Sequence, residues 1–257
     1  MSVRVGVLGA NGRMGRTVCA AVAADPDLEL VAAVNTIAAG EQVEGITITN
    51  DLQALLDARA EVAVDFTHPS AVLDNVLWCI ANGVHVVVGT TGMSLDDHDR
   101  IAAAIVEHGS TANVFVAPNF AIGAVLMMHF AEQAARYLPA AEIIELHHDG
   151  KADAPSGTAW TTARKIAAAR AESYRGPDGE SLAGSRGGDE SGVRIHSVRL
   201  PGLVAHQEVI LGGAGQTLSI RHDSLDRASF MPGVVLAVKE IGNRPGLTVG
   251  LDQLLGL

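Results

Sequence analysis

The sequence predicts an α/β protein: a Rossmann-type doubly wound parallel sheet, joined to an α+β unit with a mixed sheet. Three observations carry that expectation. The first half repeats short apolar runs with amphipathic stretches between them, the pattern of strand–helix–strand units. The first run passes directly into a turn with glycines at 9, 12 and 15. After Phe120 the rhythm changes to one long helical pattern and then to alternating runs.

In order, "VRVGVL" (Val3 to Leu8) reads as a buried strand, followed by the glycine turn and a helix through about Ala24. "LELVAAV" (Leu28 to Val34), "EVAVDF" (Glu61 to Phe66), "VHVVV" (Val84 to Val88) and "NVFVA" (Asn113 to Ala117) are the following strands. Their unbroken apolar character suits strands covered on both faces, and right-handed crossovers then give the doubly wound sheet. "AIGAVLMMHFAEQAARYL" is a long helix, "AEIIELHH" a strand, and "SGTAWTTARKIAAAR" a helix opened by a capping serine. Residues 172–192, rich in Gly, Ser and charge, read as a mobile surface loop. "VRIHSVRL" and "LVAHQEVIL" are strands, "GGAG" a hairpin turn and "QTLSIRH" its return. A helix, "RASFMPGVVLAVKEI", and an apolar tail return to the first domain. Two domains are expected, 1–121 with 228–257, and 122–227.

The composition narrows the function. The 257 residues are 48% hydrophobic and 18% charged, which describes a globular chain able to bury a large core. A net charge of -11 argues against nucleic acid and against an anionic membrane surface, while leaving room for a small anionic substrate beside local cations. The stretch from Gly109 to Ala131 lacks Asp, Glu, Lys and Arg. Asn113, Pro118, Asn119, Gly123 and His129 interrupt it, so a membrane span is not expected. With no room for a signal peptide before Val3 and two cysteines in apolar stretches, a cytoplasmic location is expected.

"GANGRMG" (Gly9, Ala10, Asn11, Gly12, Arg13, Met14, Gly15) follows a strand and opens a helix. Gly9 suits the tight turn, Gly12 the approach of a pyrophosphate, and Gly15 the packing of helix on sheet. The helix N-terminus adds unpaired N–H groups and partial positive charge. Asn35 ends the second strand, where an acid would grip the ribose of NAD; an amide does not repel a 2′-phosphate, and Arg13 and Arg16 lie nearby. Both cofactors are therefore expected, with a lean to NADPH over NADH. Three further strand ends face the same crevice: Phe66 in "DFTHP", Gly89, Thr90 and Thr91 in "VVVGTTG", and Ala117, Pro118, Asn119 and Phe120 in "VAPNF". His68 reads as a loop residue.

"HHDGKADAPSGTA" (His147 to Ala159) crowds two histidines, a lysine and a helix start into thirteen residues. Adjacent strand residues point to opposite faces, so one of His147 and His148 enters a given pocket. Lys151 follows four residues on, and the helix that begins near Ser156, Gly157 and Thr158 offers backbone N–H groups to a carboxylate. A solvated polar loop before an ordinarily capped helix is the alternative, and no ligand set for a metal is evident.

Taken in order from Val3 to the C-terminus, "GANGRMG", "DFTHP", "VVVGTTG", "APNFAIGAVL", "IELHHDGKADAPSGTA" and "HDSLDRASF" resemble the 4-hydroxy-tetrahydrodipicolinate (dihydrodipicolinate) reductases. The resemblance implies NAD(P)H-dependent reduction of a cyclic dicarboxylate imine in diaminopimelate and lysine biosynthesis. It implies His147 as proton donor or acceptor, Lys151 as proton donor, and substrate contacts at His148, Gly157, Thr158 and Arg227, with Ser156 beside them. It also implies cofactor contacts at 9–15, 89–91 and 117–120, and a homotetramer assembled through the second domain. Two positions depart from the pattern: Asn35 replaces a frequent acid, and Gly150 stands where a third histidine is common. A dehydrogenase for another substrate, or a catalytically silent NAD(P)-binding regulator, are the competing readings.

Overall fold

A computed structural model describes residues 2–172, 174, 176–177 and 179–257; of the loop expected at 172–192, Ser173, Arg175 and Asp178 lie outside the described residues. In chain order the elements are β1 (Val3–Leu8), α1 (Arg13–Ala24), β2 (Leu28–Val34), β3 (Gln42–Val43), β4 (Ile46–Thr49), α2 (Gln53–Asp57), β5 (Val62–Asp65), α3 (Val72–Ala81), β6 (His85–Val88), α4 (Leu95–Glu107) and β7 (Val114–Val116). There follow α5 (Ile122–Ala135), β8 (Ala140–His147), α6 (Gly157–Ala169), β9 (Gly188–Glu190), β10 (Val193–Arg199), β11 (Ala205–Gly213), β12 (Gln216–Ser224), α7 (Met231–Glu240), β13 (Leu247–Val249) and α8 (Asp252–Leu255). Among the described residues no helix is long and apolar enough to cross a membrane.

The chain divides into two compact units, Met1–Phe120 with Phe230–Leu257, and Ala121–Ser229. In the first, the sheet order is β13-β7-β6-β5-β1-β2-β4-β3, parallel throughout except where β3 turns back on β4. The order reverses at β1, which lies between β2 and β5. That reversal opens a crevice beyond the carboxyl ends of β1 and β5, where a doubly wound sheet takes its ligand. Val5, Val7, Val64, Val86, Val87 and Phe115 are wholly buried, each worth roughly 1.5–3 kcal/mol relative to exposure.

The closing helix is shorter than its apolar pattern suggests. Arg227–Phe230 is a 3-10 turn and the α-helix proper begins at Met231, with Pro232 in the first turn, where its missing N–H costs no hydrogen bond. The apolar tail adds strand β13 parallel to β7, Leu247 opposite Val114.

The second unit holds a mixed sheet of order β12-β11-β8-β10-β9, with only the β8–β10 pair parallel. On β8, Ala141, Ile143 and Glu145 are buried while Glu142, Ile144 and Leu146 are half-buried, the alternation of a sheet covered on one face. Met127 and Ala131 of α5 and Ala159, Ala163 and Ile166 of α6 pack against Ile143, Ile195, Val209 and Leu211 on the covered side. The polar 172–192 segment ends in the short strand β9, paired antiparallel with β10.

Candidate active site

In the first unit the glycine turn is shaped by contacts that side chains would prevent. Gly9 has φ +78°, and its N–H and that of Ala10 both donate to the Val34 carbonyl, at 2.9 and 3.1 Å. A Cβ on Gly9 would lie 2.3 Å from the Phe66 carbonyl oxygen, and one on Gly15 would lie 2.1 Å from that of Gly9. Gly12 is different: a Cβ there would meet only the Gly9 carbonyl oxygen, at 3.2 Å, and is otherwise in open space. Gly12 N-caps α1 without a side chain, so Arg13 and Met14 begin the helix with backbone donors facing outward. The cradle therefore fits a pyrophosphate.

Arg16 does not stand free beside this turn. Its guanidinium donates to the Asn11 side-chain oxygen and pairs with Glu41 at 3.1 Å. Asn35 accepts the Ile37 N–H on its carbonyl oxygen at 2.9 Å, leaving its amide N–H groups to donate. Arg13 is exposed.

Asp65, buried at the end of β5, joins two of the expected loops. Its carboxylate accepts from the Thr67 N–H (3.0 Å), the Thr67 hydroxyl (2.8 Å), the Thr90 hydroxyl (2.6 Å) and the Asn75 amide (2.8 Å). Its carbonyl accepts from the N–H groups of Gly89 and Thr90. The Phe66 ring fills the place of a Gly89 side chain, since a Cβ there would lie 2.1 Å from it. Its centroid is 6.1 Å from that of Phe120. Ala117 donates to the Val88 carbonyl and is buried, Pro118 and Thr91 are exposed, and Asn119 is half-buried. His68 is exposed in a turn with Ser70.

In the second unit, β8 delivers Glu145 and His147 to one face, two residues apart. Glu145 is 0% exposed. One oxygen of its carboxylate meets His147 Nδ1 at 2.5 Å and Arg199 Nη1 at 3.0 Å; the other accepts from Arg199 Nη2 at 2.8 Å and from the Ser156 N–H at 3.3 Å. Burial alone pushes the Glu145 pKa up, but hydrogen bonds from His147, Arg199 and Ser197 favour the charged form and bring it down to about 2. Arg199 also donates to the Asp153 carbonyl at 2.6 Å, while its Nε is buried without a hydrogen-bond partner.

Lys151 follows a turn in which its N–H donates to the His148 carbonyl, and its Nζ lies 2.7 and 2.9 Å from the two Asp153 carboxylate oxygens. That hydrogen bond is the first cause holding the Asp153 carboxyl below its ordinary value. His147, Glu145, Arg199, Asp153 and Lys151 thus form one connected polar chain.

The other expected groups vary in access. His148 is exposed. Ser156 is buried: its hydroxyl accepts from the Ala159 N–H as the cap of α6, and its own N–H is turned toward Glu145. Gly157 opens the helix with nothing within 4 Å of a would-be Cβ, and Thr158 is the next residue. Arg227 is exposed on the 3-10 turn after β12. Glu145 and Arg199 are not among the residues expected from sequence. The available signal was the alternation of "AEIIELHH", which puts Glu145 on the face of Ile143 and so requires a buried carboxylate to find a cation.

A doubly wound sheet with a phosphate-type glycine turn, in one chain with a unit bearing a carboxylate-backed histidine and a lysine, defines a nicotinamide-dependent oxidoreductase. Family models place it further. The model described as "Dihydrodipicolinate reductase, N-terminus" matches residues 3–120, and that described as "Dihydrodipicolinate reductase, C-terminus" matches 123–255. The chain belongs to the dihydrodipicolinate reductase family. It is 55% identical over 261 residues to the 4-hydroxy-tetrahydrodipicolinate reductase of Nocardia farcinica, covering 100% of both chains. To that of Mycolicibacterium smegmatis it is 54% identical over 257 residues, covering 99% of this chain and 100% of the relative. A dipicolinate-bound dihydrodipicolinate reductase from Paenisporosarcina sp. TG-14 superimposes with a TM-score of 0.88 at 39% identity, covering 98% of this chain and 99% of that one. The chain is accordingly an oxidoreductase that uses NAD(P)H, and its N-terminal unit binds the dinucleotide.

Proposed function

We propose that the chain reduces 4-hydroxy-tetrahydrodipicolinate to tetrahydrodipicolinate in diaminopimelate and lysine biosynthesis, with NADPH or NADH as reductant and with the C4 hydroxyl and a neighbouring ring hydrogen leaving as water. The connected chain from His147 to Lys151, beside the open start of α6, is the observation that carries this reading. In this assignment the turn at 9–15 holds the pyrophosphate, and Asn35, Phe66, 89–91 and 117–120 border the rest of the dinucleotide. The reduced nicotinamide supplies a hydride for C4 of the ring.

The residues of the second unit do the rest. The dianionic ring needs two sites rich in cations or N–H groups; the first turn of α6 at Gly157 and Thr158 supplies one, His148 and Arg227 the other. Ser156 acts by ordering that helix start. Charge that develops at C3 is met by the Lys151 ammonium, which donates the proton there. Until substrate arrives, Asp153 holds that ammonium in place. His147 handles a proton through the nitrogen not committed to Glu145.

Asn35, with amide donors to spare, and the exposed Arg13 support the lean to NADPH; the pairing of Arg16 with Glu41 weakens the part expected of Arg16. Buried Cys19 and Cys79, both pushed up to about 12 chiefly by burial, suit a reducing cytoplasm. The second unit is assigned to substrate binding and to assembly of a homotetramer.

Nucleotide oxidation, followed with enzymatically generated substrate, tests the assignment. Substrate-dependent oxidation of NADPH and NADH is expected, with Lys151→Ala lowering kcat by ~10²–10⁴ and cofactor affinity unchanged. Loss of cofactor binding in that variant, or oxidation indifferent to substrate, would remove the reading.

A further inference from the structure

We propose that Glu145 is the positioning residue for His147: its carboxylate fixes the imidazole as the Nδ1–H tautomer and leaves Nε2 as the atom that handles the proton. The inference rests on the reading of His147 as a proton-handling group and extends it to a buried residue that does not touch substrate.

The geometry leaves His147 one role for Nδ1. An ionised carboxylate is acceptor-only, so the nitrogen 2.5 Å from Glu145 must carry the hydrogen. The carboxylate cannot swing away to release it. Arg199 holds both oxygens in a two-pronged contact, and the Ser156 N–H holds one of them. Buried ionisation persists because four donors, not one, meet the charge.

A purely structural ion pair would not need the imidazole. Arg199 already satisfies both carboxylate oxygens, yet the ring makes the shortest contact, while 15% of its side-chain surface stays exposed. The Nδ1 edge is thus anchored while part of the ring stays accessible. When Nε2 takes up a proton, the charge that forms on the ring lies against a carboxylate that is already in place and needs no reorganisation. The Ser156 N–H gives this anchor a second consequence, because the same carboxylate sets the ring and the start of α6 in one frame. Imidazole orientation and the proposed carboxylate site are thereby coupled.

Enzyme labelled with [15N]histidine tests this directly. Long-range 1H–15N spectra of the wild type, recorded with the ring neutral and assigned by loss of the signal in His147→Ala, should show hydrogen on Nδ1. In Glu145→Gln the carboxamide can present its N–H2 to Nδ1, which favours the opposite tautomer. There kcat should fall roughly tenfold to hundredfold, as when an outer-shell carboxylate behind a functional histidine is lost. The substrate KM should move by less than about threefold, because the carboxamide oxygen can still accept from the Ser156 N–H and keep the start of α6 in place. An Nε2–H signal in the wild type overturns the proposal even if Glu145→Gln fails to fold. So does a fall in kcat with the tautomer unchanged, or an unchanged kcat. A fully active His147→Ala would instead overturn the underlying assignment of His147.

Discussion

Glu145 and Arg199 lie 54 residues apart in sequence and share two hydrogen bonds, so the alternation of β8 can mark Glu145 as buried but no local pattern names Arg199 as its partner. His147, Lys151 and the α6 start were legible because they crowd into one stretch. The buried pair also makes a stability prediction with a definite sign. The Glu145 pKa is lowered from 4.5 to about 2, so the folded state keeps the group ionised where the unfolded chain would protonate it. Its contribution is complete above the unfolded value and is lost as pH falls from about 4.5 through about 2. The shift is worth roughly 3 kcal/mol. Urea titrations of wild type and Glu145→Gln at descending pH below about 5 should therefore show the stability gap between them narrowing as the wild type loses this term. A gap independent of pH would mean that the carboxyl is not held ionised.

Elements were legible where a period or an unbroken apolar run stood between turn residues. β1, β2 and helices such as α5 and α6 are long enough for an apolar pattern to emerge, and β5, β6 and β7, though only three or four residues each, lie in the apolar runs "EVAVDF", "VHVVV" and "NVFVA". β3, β4, α2 and β13 span two to five residues each, too few to show a period, and they exist because neighbours supply the pairing: β4 lies along β2, and β13 along β7. The glycine turn was legible in outline, and the structure separates its members. Gly15 is closed in by the Gly9 carbonyl, whereas Gly12 faces space that a pyrophosphate would fill. Gly15→Ala is expected to lower stability by about 1–3 kcal/mol through overpacking. Gly12→Ala should leave the melting temperature nearly unchanged yet weaken NADPH binding by tenfold or more. Calorimetric binding beside thermal melts distinguishes the two; equal effects from both substitutions would refute distinct roles.

At the scale of the whole molecule, the mixed sheet leaves one question about assembly. Its covered face packs on α5 and α6; on its other face Leu146 of β8 lies opposite Val198 of β10, Ile144 lies between His196 of β10 and Glu208 of β11, and Ile210 of β11 is opposite Glu142, a broken apolar strip. Ion pairs are interspersed with these apolar residues: Arg186 and His196 with Glu142, and Arg221 with Glu208. Subunit interfaces mix apolar and polar groups in this way, and two sheets pack face to face at about 10 Å. Ile144 sits on the central strand, so a charge introduced there lies in the middle of this face. If the strip joins subunits, Ile144→Lys should convert a particle of four 26.6 kDa chains into smaller species, while Ile143 and the covered core keep the fold. Light scattering after size exclusion reads the mass, and far-ultraviolet circular dichroism checks the fold. A wild-type monomer at micromolar concentration, or a variant that stays tetrameric, would exclude this face as the site of assembly.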